Sequence, residues 1–270
     1  MTSVGINGLG RIGRLLTRRL FERHDARAAL RLTMCNEVAD AATVAHLLKY
    51  DSTHGRFSQP VVTDGDHLNI VDQAVLLTHE TAQSKVRWSD RDVNIVIDCT
   101  GVEFNRSSAA QHLGGSVSRV MLSQPASTDV DGTIIWGLND STLTPDMSVI
   151  SAGSCTSNAL MPVLSVIDTA FGIRAGIVTT IHSAMNDQPV IDAYHHTDLR
   201  KTRAAFNSVI PVETGLAQGV ERFFPHLTHK ISARALRVPT LNVSSLDVVV
   251  SVDCDTTSDE VNATLRQSLG

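Results

Sequence analysis

The sequence predicts an α/β protein of two domains: a doubly wound sheet over residues 1–150, then an α/β domain with a mixed sheet over residues 151–270. Three observations support this fold class. A glycine-rich turn joins a strand to a helix near the N-terminus, apolar strands and helices alternate through the first half, and a second strand–helix junction surrounds Cys155. A chain of 270 residues is long enough to bury two cores.

Composition and charge exclude several classes of protein. The chain is 42% hydrophobic and 19% charged, as globular proteins are. Its net charge of −5 gives no general attraction to nucleic acid or anionic membranes, and no apolar run reaches the roughly 18 residues that span a bilayer. The four cysteines lack metal-ligand and disulfide spacing. We therefore expect a reduced, cytoplasmic protein that binds no metal, nucleic acid or membrane.

The first strand and helix carry a dinucleotide-binding fingerprint. Residues 4–7 predict a strand, and residues 11–23 predict a helix with apolar side chains on one face. Between them, Gly8 permits the turn, Gly10 lets the backbone approach a pyrophosphate, and Gly13 lets strand and helix pack closely. This context indicates a Rossmann domain more specifically than the glycines alone would.

The ends of the later strands complete the predicted cleft. Glu37 follows the second predicted strand, where a carboxylate accepts from the ribose hydroxyls and repels a 2′-phosphate, so it favours NAD over NADP. Thr100, Gly101 and Ser123 also follow predicted strands, and we expect them on the nicotinamide side. Ordinary turn chemistry is the alternative for each of these positions.

Cys155 lies between a predicted strand, residues 147–150, and a predicted helix, residues 158–170. A helix N-terminus stabilises an anion, and a thiolate is an anion. The alternative is an inert buried cysteine, but the flanking hydroxyls of Ser154 and Thr156 are unusual neighbours for one. Cys155 is therefore our candidate nucleophile.

His182 directly follows the next predicted strand, residues 173–181. A histidine at a strand end that faces a cleft can pair with a thiolate and then act as general base. The sequence alone does not show that Cys155 and His182 meet. A long polar segment, residues 184–207, follows, and such long excursions are usually functional.

Two further places offer donors to an anion. Thr214 and Gly215 precede a predicted helix, where a hydroxyl and free N–H groups are available. Arg234 and Arg237 lie on a predicted strand, and one of them could make a forked contact with a phosphate.

Four stretches together resemble the phosphorylating glyceraldehyde-3-phosphate dehydrogenase superfamily over essentially the whole chain: residues 6–14, 154–158, 179–182 and 237–243. The resemblance implies a nucleophilic Cys155 with His182 as its base and thiolate partner. It implies that NAD is held by Gly8, Gly10, Arg11, Ile12, Gly13 and Glu37. It also implies that a small phosphorylated aldose is contacted by Ser154, Thr156, Thr214, Gly215 and Arg237, with Arg200 or Lys201 nearby. The family is tetrameric, so the resemblance implies a homotetramer of the full-length protein, in which residues 184–207 pack across a subunit interface.

Within the superfamily, residues 182–185 and 190–195 are similar to the branch that oxidises D-erythrose 4-phosphate. Glyceraldehyde enzymes usually have a phosphate-binding threonine where Met185 stands, and a thioether cannot donate that hydrogen bond. The resemblance implies oxidation to 4-phosphoerythronate through a thiohemiacetal and a thioester on Cys155. Water would be the final acceptor, and the product would serve pyridoxine phosphate synthesis.

Two alternatives stay open. A phosphorylating glyceraldehyde-3-phosphate dehydrogenase is favoured by Gly215, where the erythrose branch is expected to have lysine. Lys201 stands where an arginine is usual, which replaces a forked contact by a point charge.

The sequence also ends before the family's last strands and terminal helix, so we expect a C-terminally incomplete catalytic domain. The second alternative is therefore a non-catalytic NAD-binding remnant.

Overall fold

The computed structural model describes residues 1–102 and 105–268. Its contacts divide the chain into two compact units, Met1–Ser154 and Cys155–Gly270. Each unit combines strands with helices, as the predicted α/β class requires. Among the described residues, none of the helices is both long and apolar enough to cross a membrane.

The first unit is built on a nine-stranded sheet, with a separate two-stranded ribbon formed by β3 and β4. Its strands are β1 (Thr2–Asn7), β2 (Leu30–Asn36), β3 (Tyr50–Asp51), β4 (Gly55–Arg56), β5 (Val61–Asp64), β6 (His67–Ile70), β7 (Gln73–Thr78), β8 (Ile95–Asp98), β9 (Arg119–Leu122), β10 (Gly132–Thr133) and β11 (Val149–Ser151). Its helices are α1 (Arg11–Glu22), α2 (His24–Ala29), α3 (Ala41–Lys49) and α4 (Arg106–Ala109).

The large sheet has the order β10-β11-β9-β8-β1-β2-β7-β6-β5. Neighbours from β10 to β7 run parallel, and β6 and β5 extend the sheet antiparallel. The chain passes from β1 to β2 on one side and returns to β8 on the other side of β1. This reversal is the topological switch point where doubly wound sheets bind ligands, beyond the carboxyl ends of the strands. The predicted fold class of this domain is therefore confirmed.

Local sequence explains most of the element boundaries. Asp40 begins α3 by accepting a hydrogen bond from the Thr43 amide at 2.9 Å. Asn105 caps α4, which ends at Ala109 and continues as a 3₁₀ turn, Ala110–His112. Strand β5 escaped prediction because three of its four residues are exposed, so it lacks the apolar alternation of a half-buried strand.

The second unit has a four-stranded mixed sheet in the order β13-β14-β12-β15. Its elements are α5 (Cys155–Phe171), β12 (Ile173–His182), β13 (Ile210–Val212), α6 (Leu216–Phe223), β14 (Ile231–Arg237), β15 (Ser245–Val252) and α7 (Ser258–Gln267). Strands β12 and β14 run parallel, and the two outer strands run antiparallel to their neighbours. The predicted mixed sheet is thus present. Helix α5 packs against both α6 and α7, and its buried side chains Leu160, Met161 and Leu164 belong to the core.

The last helix is fixed by its first turn. Thr257 accepts from the Glu260 amide, and the Glu260 carboxylate accepts in return from the Thr257 amide at 2.8 Å. This is the reciprocal arrangement that the sequence Thr257 to Glu260 predicts for a capping box.

Candidate active site

In the first unit, a cleft of about 310 Å³ opens at the switch point. We call it the dinucleotide cleft, and it is lined by Asn7, Gly8, Gly10, Asn36, Glu37, Val38, Glu80, Thr81, Gln83, Cys99, Thr100 and Val102. Four of the predicted cofactor residues are in this lining: Gly8, Gly10, Glu37 and Thr100. They come from loops that follow three different strands, which the parallel pairing brings to one edge of the sheet.

Glycine is present at Gly13 and at Gly10 for different structural reasons. A methyl group on Gly13 would overlap the carbonyl oxygen of Gly8, so the first turn of α1 can lie against the preceding loop only with glycine there. A methyl group on Gly10 would meet no atom within 4 Å. Gly10 therefore faces open space, which leaves its backbone accessible to a ligand at the N-terminus of α1.

Main-chain hydrogen bonds, one of them from the glycine-rich loop, hold the Glu37 side chain in the cleft. Its carboxylate accepts from the Leu9 amide at 2.7 Å and from the Ala39 amide at 3.3 Å. One carboxylate is thus fixed beside the glycine-rich loop, at the position where the sequence predicts discrimination against a 2′-phosphate.

The other predicted cofactor residues are not part of this lining. Arg11 and Ile12 are exposed on the first turn of α1. Gly101 follows Thr100 with a φ of +77°, and Ser123 follows β9, where its amide donates to the Asp98 carbonyl at 2.9 Å.

In the second unit, the structure brings Cys155 and His182 together. Cys155 is the first residue of α5 and is exposed, and His182 is the last residue of β12. The Cys155 Sγ lies 3.5 Å from the His182 Nε2. His182 Nδ1 lies 2.8 Å from the Ser183 carbonyl oxygen, an acceptor only, so Nδ1 carries the proton and Nε2 is left to accept the thiol proton.

The pair is polarised towards a thiolate and an imidazolium. The hydrogen bond with His182 is the main cause that lowers the pKa of Cys155, and it outweighs the opposing effect of burial. The same hydrogen bond raises the pKa of His182. By contrast, burial raises the pKa of Cys99, which lines the dinucleotide cleft, to about 11. Cys155 is therefore the thiol suited to nucleophilic attack.

A cluster of charge lies next to His182. Arg237 ends β14 directly opposite His182 in the parallel pairing, and its side chain is only 7% exposed. Both of its terminal nitrogens bind the Asp187 carboxylate, at 2.6 and 3.0 Å, and the Lys201 Nζ binds the same carboxylate at 2.9 Å. Although burial opposes ionisation, these two cations hold the pKa of Asp187 below its usual range. Two cations and one carboxylate leave a net positive charge that suits a phosphate.

The remaining predicted substrate residues occupy different surroundings. The Arg200 guanidinium is paired with Asp198, and Arg234 donates to the Thr179 hydroxyl from the exposed face, so neither joins the Arg237 cluster. Ser154 and Thr156 flank Cys155, and both are half-buried. Thr214 and Gly215 precede α6, and the Thr214 hydroxyl accepts from the Leu216 amide at 3.2 Å.

Sequence reasoning missed Asp187, Asn7 and Asn36. Asp187 lies within the polar segment after β12, where no periodic pattern marks a position. Asn7 and Asn36 each end a predicted strand beside the fingerprint. Because such strand ends face the ligand in a doubly wound sheet, their position could have identified them as cleft residues.

One unit thus presents a cleft at a switch point that fits a dinucleotide, and the other presents a polarised cysteine–histidine pair beside a cationic cluster. These features define the class of protein as an NAD-dependent oxidoreductase. Residues 2–106 match the family model for the glyceraldehyde 3-phosphate dehydrogenase NAD-binding domain, and residues 154–269 match the model for the C-terminal domain of the same enzyme. The chain belongs to the glyceraldehyde-3-phosphate dehydrogenase superfamily, and its cofactor is NAD.

Proposed function

We propose that this dehydrogenase oxidises D-erythrose 4-phosphate to 4-phosphoerythronate, with the acid as a precursor for pyridoxine phosphate synthesis. The observation that carries the proposal is the position of Met185. Its Sδ lies 3.6 Å from the Arg237 Nη2, beside the cationic cluster. A thioether has no proton to donate to phosphate, so recognition there depends on charge. This supports a substrate phosphate held differently from that of a three-carbon aldehyde.

The side chains of the second unit supply the covalent chemistry. The Cys155 thiolate attacks the aldehyde carbon, and the His182 imidazolium gives its proton to the former carbonyl oxygen, so that a thiohemiacetal forms. His182 then removes the hydroxyl proton as the carbon loses hydride and becomes a thioester. Bound NAD supplies the hydride acceptor. His182 next releases that proton to solvent. It then accepts a proton from the attacking water as the carbon–sulfur bond breaks, which releases the acid and restores the Cys155 thiolate.

A second candidate substrate is glyceraldehyde 3-phosphate, with inorganic phosphate in place of water. Gly215 favours it, because an exposed glycine before α6 leaves the main-chain N–H groups unobstructed by a side chain. In that reaction phosphate attacks the same thioester and the product is an acyl phosphate.

NADH formation distinguishes these reactions. The purified chain is given each aldehyde in turn, with and without inorganic phosphate, and absorbance at the NADH band is followed. The proposal expects a higher kcat/KM for erythrose 4-phosphate and no requirement for phosphate. A phosphate-dependent preference for the three-carbon aldehyde would establish the second candidate. NAD binding without oxidation of either aldehyde would indicate the non-catalytic remnant.

We further propose that the chain assembles as a homotetramer through the segment after β12. Large apolar side chains are exposed along it at Val190, Ile191, Tyr194 and Leu199, with exposures of 69, 75, 87 and 83%. An exposed apolar group of this kind is typical of an interface. Light scattering would test this: a monomeric mass at micromolar concentration would contradict the proposal. The cytoplasmic location stays a prediction.

A further inference from the structure

A chain of buried polar side chains lies behind the dinucleotide cleft. We call it the buried polar chain: Trp88, His112, Asp98, Asn7 and Asn36, none more than 5% exposed. Its last three members end the adjacent strands β8, β1 and β2, with Asn7 paired in register with both Asp98 and Asn36. Burying polar groups is costly unless they are hydrogen-bonded, so each contact in the chain matters.

The tautomer of His112 follows from its two partners. The Trp88 Nε1 is a donor only, and it lies 3.1 Å from the His112 Nδ1, which must therefore accept. The proton is then on Nε2, which lies 3.3 Å from an Asp98 carboxylate oxygen. Trp88 thus selects the tautomer of His112 that donates to Asp98.

Asp98 is a completely buried carboxylate with four donors. The Asn7 side chain donates to one oxygen at 2.7 Å, together with His112, and the Thr100 amide and hydroxyl donate to the other at 3.0 and 2.8 Å. Burial by itself raises the pKa of Asp98, but these hydrogen bonds outweigh it and hold that pKa below its usual range. The group is an ion whose charge is balanced by fixed dipoles.

The hydrogen bonds continue from Asp98 into the lining of the cleft. Because Asn7 donates to Asp98 through its nitrogen, its oxygen faces Asn36, whose side-chain nitrogen donates to it at 2.9 Å. The Asn36 oxygen then accepts from the Thr78 hydroxyl and the Glu80 amide, each at 2.9 Å. Asn7, Asn36 and Thr100 all line the cleft, so their amide and hydroxyl orientations depend on the charge of Asp98.

We propose that Asp98 and His112 are positioning residues for NAD: they set its affinity by fixing the donors and acceptors that Asn7, Asn36 and Thr100 present to the cleft. Neither Asp98 nor His112 lines the cleft. Their effect is preorganisation, because a lining that is already oriented does not lose that freedom when the dinucleotide binds. Without the charge, Asn7 and Thr100 would exchange between orientations.

The decisive measurement is NAD affinity by calorimetric titration of the full chain, well below its unfolding temperature. Asp98→Asn keeps the shape but presents an amide nitrogen to groups that donate, and hydrogen bonds to charged groups contribute enough to predict a roughly ten- to hundredfold weaker Kd. The matched control is Asp131→Asn. Asp131 also accepts from two main-chain amides and an arginine in the same unit, but it does not line the cleft. Its replacement should leave the Kd within twofold of the parent.

Two further measurements keep the proposal falsifiable if Asp98→Asn does not fold. Trp88→Phe retains an aromatic ring but removes the donor to His112, and it should weaken NAD binding severalfold. Nitrogen-15 NMR of the parent should show His112 with its proton on Nε2. The proposal is overturned if a folded Asp98→Asn or Trp88→Phe variant binds NAD as the parent does. It is also overturned if His112 in the parent carries its proton on Nδ1, or if Asp131→Asn weakens binding as much as Asp98→Asn.

Discussion

The dinucleotide cleft and the Cys155–His182 site are held in position by different means. The cleft is built from main-chain constraints and buried amides: Gly13 allows the loop and α1 to touch, and the Leu9 amide fixes Glu37. The cysteine site is built from side chains at the ends of α5, β12 and β14, and its contacts are charged and partly exposed. The first arrangement fixes the shape of the cleft, and the second sets the protonation of Cys155 and His182. Substitutions in the two regions should therefore fail in different ways.

The largest effect is expected at the nucleophile. Cys155→Ser replaces the polarised thiol by a hydroxyl that stays protonated beside His182, so aldehyde oxidation should fall on the order of 10⁴-fold or more. The NAD Kd, measured by titration, should not change, because the cleft belongs to the first unit. Cys254→Ser, the other exposed cysteine, is the control and should keep parental turnover. Near-parental NADH formation by Cys155→Ser would rule out a covalent mechanism.

Substitutions in the dinucleotide cleft should act by distorting its backbone and so destabilising the fold. Gly13→Ala forces a methyl group onto the Gly8 carbonyl, so the loop or α1 must move, and we expect a loss of about 3 kcal/mol in the free energy of unfolding. Gly10→Ala is the matched control, since its methyl group meets no neighbour. Urea denaturation should find Gly10→Ala close to the parent. If both variants lost the same stability, close packing at Gly13 would not explain the fingerprint.

Substitutions in the cysteine site should act by changing the pKa of Cys155. Because the hydrogen bond with His182 lowers the pKa of Cys155, His182→Asn should raise that pKa. Alkylation by iodoacetamide would then need a higher pH, and at pH 7 it should slow by roughly tenfold as the thiolate fraction falls. The measurement uses a Cys254→Ser background so that Cys155 is the exposed thiol. His226→Asn, which removes the histidine paired with Asp168, should leave the profile in place. An unchanged profile in His182→Asn would show that His182 does not set the reactivity.

The smallest effect concerns cofactor choice. Glu37→Gln keeps an acceptor for the Leu9 amide but removes the charge that opposes a 2′-phosphate. The difference between the NAD and NADP binding free energies should narrow by about 1–2 kcal/mol, which changes the ratio of the two dissociation constants by roughly 5–30-fold. Glu80→Gln, another acid in the cleft lining, is the control. A parent chain that binds NAD and NADP equally would contradict the assignment to Glu37.

The two regions also differ in how far the sequence predicts them. The fingerprint was predictable because its constraints are local: the strand, the turn and α1 are consecutive, and glycine is required at Gly13, where α1 meets the preceding loop. The position of Cys155 at the start of α5 was predictable for the same reason. The α/β class and both sheets followed from apolar patterns, whereas β5 was missed because exposed strands lack such a pattern.

Long-range pairings could not be predicted. The strand pattern by itself left Arg234 and Arg237 as alternatives, and the pairing of β12 with β14 places Arg237 opposite His182. Asp187 comes from a segment without periodicity, and it was not foreseen that its carboxylate would join Lys201 to Arg237. The contact between Asp98 and His112 depends in the same way on where the segment after α4 returns to the sheet.

The register between β12 and β14 also has a consequence for engineering. Opposed residues on parallel strands are connected by regularly spaced main-chain hydrogen bonds, and a slip of one residue would turn every side chain to the other face. The backbone therefore keeps His182, the proposed general base, at a constant separation from Arg237, the arginine of the proposed phosphate site. Longer or shorter substrates are then best accommodated by redesigning the segment that carries Met185, Asp187 and Lys201, while the strands are left unchanged.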